Sequence, residues 1–188
     1  MIREIVSKND PILREVMPKF EFGGDIDPIQ LYTDLAETMR ENDGLGLAAN
    51  QIGVRARAFV MRAENIIGVF NPRVVDMSSE MVYLEEGCLS YPNLWVKVKR
   101  PKLIKVRYTN PDGNTETRTF DGMSARVFLH ELDHLDGITH TSRANRIHLE
   151  QAKKFAKKLN RGTPVGATGL RVKALTNESQ RVLEALKS

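Results

Sequence analysis

Residues 130–134 read His130-Glu131-Leu132-Asp133-His134. On an α-helix, residues four apart lie on one face, because 3.6 residues make a turn. Both imidazoles can therefore reach one metal ion. Glu131, beside the first of them, is placed to move protons for a water activated by that ion. These residue types at this spacing point to metal-dependent hydrolysis.

Two residues compete to be the third ligand, since a catalytic metal is held by three protein groups with one position left open. Downstream, the string continues through Gly137 to His140 and fits the extended zinc signature of the metzincin proteases. On that reading His130, His134 and His140 would make a zinc endoprotease. That family also needs a methionine further along, and no Met follows Met123. The segment after His140 is basic and helix-like, with little to form the lower half of a protease cleft. His140 then reads as a surface histidine. Upstream stands Cys88, in Glu85-Glu86-Gly87-Cys88-Leu89-Ser90. A lone cysteine is by itself a small buried hydrophobe. Opposite a His-Glu-x-x-His helix it completes a Cys-His-His set.

A frame must hold these residues. The 188 residues suit one domain with a sizeable core. A hydrophobic content of 41% and a charged content of 28% are those of a globular chain. No apolar run approaches the ~20 residues of a membrane helix, so no membrane partner is expected. The first ten residues carry acids and no apolar stretch, unlike a signal peptide, and one cysteine leaves no internal disulfide. A cytoplasmic setting is expected. Pro28 and the spacing of Tyr32, Leu35, Ala36 and Met39 predict a helix over 25–42. Residues 44–51, rich in small side chains, read as a loop. Strands are predicted at 56–61, 66–70, 74–77, 81–84, 94–98, 103–108 and 115–120, the last two joined by a turn at 110–114. The metal-binding helix puts Ala125, Phe128, Leu129, Leu132 and Leu135 on an apolar face and ends at Gly137. A basic amphipathic helix follows over 148–161, then a linker at 162–166 and a short helix at 177–186. Strands cluster between terminal helices. The expected fold class is α+β, with mostly antiparallel sheets packed around a central metal-binding helix and helices toward both ends. From Arg143 onward there are 11 Lys/Arg against 3 Asp/Glu, although the whole chain carries only +4. The basic excess belongs to the tail, which suits a solvated helix face or a tether to an anionic surface such as RNA.

Three segments together resemble the peptide deformylase family: Gly44-Leu45-Gly46-Leu47-Ala48-Ala49-Asn50-Gln51, Glu86-Gly87-Cys88-Leu89-Ser90 and the His130–His134 pentapeptide. Asp10-Pro11-Ile12-Leu13-Arg14 is similar to the family's opening segment. The resemblance spans about 1–160, so residues 1–161 are expected to form the catalytic domain and 162–188 a C-terminal extension. It implies removal of the formyl group from N-terminal formylmethionine of new polypeptides, with release of formate. It further implies Cys88, His130 and His134 as ligands of one divalent metal, Fe(II) by family habit, with Ni, Co or Zn able to substitute. Glu131 would be general acid and base, and the Gln51 amide and Leu89 N–H would stabilise the oxyanion. Gly44, Gly46, Glu86 and Gly87 would run along the substrate, with Val127 and Leu129 near its methionine. Asp133 would pair with Arg100 behind the metal. The basic helix, with Lys153, Lys154, Lys157, Lys158 and Arg161, would dock on the ribosome. Two departures stand out: Leu129 replaces a Gln common before the first histidine, and Trp95 stands where some members carry Arg.

Overall fold

Asp27 starts the first helix. Its Oδ1 accepts from the N–H groups of Ile29 and Gln30 at 2.8 and 3.3 Å, and Pro28 occupies the first turn. Such a cap satisfies N–H groups that have no partner within the helix. Helix α1 (Pro28–Glu41) buries Leu31, Leu35, Ala36 and Met39. It packs them against strands β1 (Gly46–Ala48) and β2 (Ala58–Arg62). The segment read as a loop is thus a short strand followed by a 3₁₀ turn, Ala49–Ile52. Three residues, two of them small, carry too little alternation to signal a strand, and pairing with β2 supplies the order.

The computed structural model describes residues 1–160. The remaining strands are β3 (Ile66–Met77), β4 (Met81–Cys88), β5 (Tyr91–Pro101), β6 (Leu103–Thr109) and β7 (Thr115–Asp121). They form an antiparallel five-stranded sheet, β1-β2-β3-β6-β7, and a separate β4-β5 hairpin. The two strands predicted at 66–70 and 74–77 are one strand, kinked between them. Asn71 adopts φ +50° there and the register with β6 shifts. Asparagine tolerates this conformation better than most residues. Its side chain also accepts from Phe20 N–H at 2.8 Å and donates to Phe20 C=O at 3.0 Å, which pins the kink.

Helix α2 (Gly122–Leu135) lies across the sheet and is buried on more than one side. Ala125, Phe128 and Leu135 enter the main core, with Phe128 edge-on to Phe59 at 5.1 Å. Burying such a side chain is worth roughly 1.5–3 kcal/mol. Gly137, at φ +69°, lets the chain leave the helix, and a Cβ there would sit 2.6 Å from Arg14 O. After a short turn, α3 (His140–Arg143), helix α4 (Arg146–Asn160) lies on β5, with Ala156 buried. The α+β architecture is as expected from the sequence. Among the described residues no helix is long and apolar enough to cross a membrane. Arg161, the predicted linker, the helix at 177–186 and the 161/162 boundary lie outside the described residues.

Candidate metal centre

Helical spacing brings His130 and His134 to one side of α2, and the β4–β5 hairpin brings Cys88 to meet them. Two arginines fasten the hairpin to the helix. Arg126, on α2, donates to Val82 O at 2.7 Å and Val98 O at 3.0 Å, one bond to each hairpin strand. Arg100, on β5, donates to Leu129 O on α2 at 3.4 Å. The register of the hairpin breaks between Glu86 and Cys88, which re-aims the cysteine at the strand end. One ligand atom each from Cys88, His130 and His134 lies within 4.8 Å of the others. Cys88 Sγ and His134 Nε2 are 3.2 Å apart. A sulfur and a nitrogen sharing a tetrahedral metal stand about 3.5 Å apart, given bonds of ≈ 2.3 and 2.0–2.1 Å, so the pair is nearly set for an ion.

Charge supports the same assignment. His130 Nδ1–H donates to Glu86 Oε2 at 3.0 Å, which leaves Nε2 facing the thiol. Burial works against a charge on His130, but hydrogen bonds to Cys88 and Glu86 outweigh it and raise its pKa well above the ordinary value. A cation between Cys88 and His130 would take the place of that proton. Burial, with the neighbouring His130, pushes His134 well below the ordinary range and keeps it a neutral imidazole. Its Nδ1 has no partner among the described residues. Asn50 Nδ2 donates to His134 O at 2.7 Å and holds the helix at this ligand.

Glu86 does more than the sequence suggests. Its side chain is 4% exposed and accepts from Arg100 at 2.6 and 2.9 Å and from Arg126 at 2.6 Å, besides His130. Burial alone would raise its pKa, but Arg100 and His130 overcome this and hold it far below the carboxylate range. Glu86 also borders the pocket above this cluster, and its carboxylate is held by Arg100, Arg126 and His130, an arrangement of the kind that orients metal ligands. No sequence spacing announces this contact, made across 44 positions. Arg100 Nη1 also donates to Asp133 Oδ2 at 2.9 Å, and Arg143 Nη2 to Asp133 Oδ1 at 2.6 Å.

A pocket opens over Cys88, His130 and Glu131, walled by Gly44, Gly46, Gln51, Gly87 and Leu89 together with Met123, Val127 and Trp95. Leu129 is not in this wall and packs against the core instead. Helix geometry explains the difference. Val127 is three residues before His130 and four before Glu131, on their face, whereas Leu129 is turned about 100° from His130. The same spacing, extended one turn, finds Met123, which the sequence reading missed. Glu131 is 3% exposed, and burial pushes its carboxyl up to about 7. Its Oε2 has no partner among the described residues. Gln51 accepts from Ala48 N–H at 2.9 Å, so its amide N–H₂ faces Cys88 Sγ at 3.4 Å and Ser90 Oγ at 3.3 Å.

His140 is 1% exposed, not a surface residue. Its Nε2 faces Leu94 O at 3.3 Å and its ring stands edge-on to Tyr91. Burial and the nearby His130 lower its pKa to about 4. It takes no part in the ligand cluster, so the metzincin reading fails on geometry. The sequence profile of polypeptide deformylases matches residues 2–150. The chain belongs to the polypeptide deformylase family. A peptide deformylase from Thermotoga petrophila is 41% identical over 131 residues, covering 69% of this chain and 79% of the relative. One from Desulforudis audaxviator is 39% identical and covers 77% and 95%. The crystal structure of the Thermotoga maritima peptide deformylase superposes with a TM-score of 0.74 at 36% identity, covering 77% of this chain and 99% of that one. As a deformylase the chain is a metal-dependent hydrolase that removes formyl groups, and its Cys88, His130 and His134 are placed so that they could hold a metal ion.

Proposed function

We propose that the pocket deformylates N-formylmethionyl peptides with Glu131 as the acid–base group and Gln51 and Leu89 as oxyanion donors. The observation that carries this reading is Glu131 itself. A buried carboxyl near neutrality, with a free oxygen and a Cys-His-His cluster beside it, is suited to taking and returning a proton. A divalent ion held by Cys88, His130 and His134 supplies a Lewis acid that acidifies water, and the thiolate favours Fe(II) or a similar metal over Mg²⁺. Glu131 takes the proton of the attacking water and later delivers it to the departing amine. The bonds from the Gln51 amide to Cys88 and Ser90 are long, and that amide can turn its N–H toward the developing oxyanion, joined by the Leu89 main-chain N–H. Losing such a donor costs ~10²–10³ in rate, and Gln51→Ala should show that loss in kcat for a formyl-Met peptide. Main chain at Gly44, Gly46 and Gly87 can approach an extended peptide closely. Met123 and Val127 offer an apolar surface to the methionine side chain.

The catalytic unit on this reading is residues 1–161, with 162–188 an extension, working in the cytoplasm on nascent chains. Exposed Lys153, Lys154 and Lys157 on α4 support docking to the ribosome; the side chain of Lys158 and all of Arg161 lie outside the described residues. Cutting at 148 would strip Ala156 from the core and so test folding rather than docking. Charge reversal of the three lysines, read by ribosome co-sedimentation, tests the surface alone; unchanged sedimentation counts against docking. For the chemistry, formate release from formyl-Met-Ala-Ser by anaerobically loaded enzyme is the expected result, and its absence at full metal content rejects the reading.

A further inference from the structure

A second hollow lies on the exposed face of the five-stranded sheet and shares no residue with the catalytic pocket. The register of β3 and β6 sets Arg73 directly opposite Arg107. Opposed residues on antiparallel strands have Cβ atoms about 4.5–5.5 Å apart, and like charges placed so repel. Both arginines are exposed, and among the described residues neither is in an ion pair. Lys105, two residues along β6, is exposed on the same face, about 7 Å from Arg107 along the strand. Its neighbour across the ladder is Asp76, whose Oδ1 accepts from the N–H of Met77, and no ion pair joins the two. Hydroxyls border the cations. Thr109 and Thr115 line the hollow, and the exposed Thr117 and Thr119 of β7 lie opposite Arg107 and Lys105. Arg73 comes just after the kink that Asn71 imposes on β3, and kinks of this kind re-aim side chains.

We propose that this face binds the phosphodiester backbone of single-stranded RNA. One phosphate placed between Arg73 and Arg107 relieves their repulsion. Lys105 follows Arg107 along β6, so the three cations form a row that a chain of phosphates can track. The hydroxyls donate to phosphate oxygens without reading bases, so recognition is independent of sequence. Buried Tyr108 offers no stacking platform here, so the contact is electrostatic and salt-sensitive.

The test uses the full chain and a short labelled oligoribonucleotide, with anisotropy read across a salt series. Arg73→Gln/Arg107→Gln is expected to weaken binding at least about tenfold at low salt. It should also flatten the log–log salt slope by about 1.4, two contacts at about 0.7 each. Lys8→Gln/Lys19→Gln removes the same charge elsewhere and is expected to leave the slope near that of the parent. Formyl-peptide hydrolysis is expected to be unchanged in both. An unchanged slope in the arginine variant, or an equal drop in the lysine variant, overturns the proposal. So does saturable binding of inorganic phosphate that depends on the two arginines while the oligonucleotide does not bind.

Discussion

Glu131 and Glu86 are two buried carboxyls whose neighbours push their pKa values in opposite directions. Glu131 faces the pocket with a free oxygen, and burial moves its pKa up to about 7. Glu131→Ala should keep one metal per chain yet lose turnover by about 10²–10⁴, the usual worth of a general acid–base group; metal analysis and kinetics on one sample check both halves. Glu86 is surrounded by Arg100, Arg126 and His130, which hold it ionised. Glu86→Ala leaves the buried Arg126 guanidinium without a carboxylate and Arg100 with Asp133 alone, and should cost about 3–5 kcal/mol in urea unfolding, with a 10–100-fold fall in metal affinity. The sign of its pH dependence follows from its depressed folded-state pKa. Its stabilisation is fully present above the unfolded value of 4.5 and is lost as pH falls below it. The stability gap between parent and Glu86→Gln should therefore be constant near pH 6 and shrink under acid. His130, Glu131 and His134 could be read from spacing because one helix sets their relation. Glu86 and Asn50 could not, because strand and turn bring them to the helix from distant sequence.

Elements fix these residues through backbone that tolerates no side chain. Glu131 leans on β1 at Gly46, where a Cβ would lie 2.8 Å from the Glu131 Cδ. Gly46→Ala should displace the carboxylate, cutting kcat by an order of magnitude or more while far-UV circular dichroism stays that of the parent. A purely substrate-binding role for Gly46 predicts a rise in KM instead. Gly137 lets α2 end against the backbone of Arg14. Gly137→Ala combines positive φ with a steric clash and should destabilise by more than about 1 kcal/mol, seen as a drop of several degrees in Tm. The antiparallel strands β6 and β7 were legible because one face alternates apolar and polar, with a turn of Asn110, Pro111, Asp112 and Gly113 between them. β1 was not, since a stretch of three residues is too short to show a periodicity. The single kinked β3 was read as two strands because Asn71-Pro72 looks like a break, and only pairing with β6 beyond it restores continuity.

At the scale of the molecule, sheet, hairpin and α2 meet at one point, and the Cys-His-His centre is built there. Cys88 arrives on the hairpin, the histidines on the helix, and Gln51 on the turn after β1. The charge asymmetry seen in the sequence is only partly placed, since the described part of the basic segment ends with α4. What the sequence left open was the third ligand. The fold buries His140 against Tyr91 and Leu94 and leaves Cys88 beside His134, which supports Cys88 as the proposed third ligand. The decisive measurement is formate release from formyl-Met-Ala-Ser after anaerobic Fe(II) loading, made on the parent, Cys88→Ser and His140→Phe, with metal content read on each. Release by the parent and His140→Phe, with loss of metal and turnover in Cys88→Ser, is the predicted outcome. No formate from fully loaded parent, or a Cys88→Ser variant that keeps metal and turnover while His140→Phe loses both, would contradict the account.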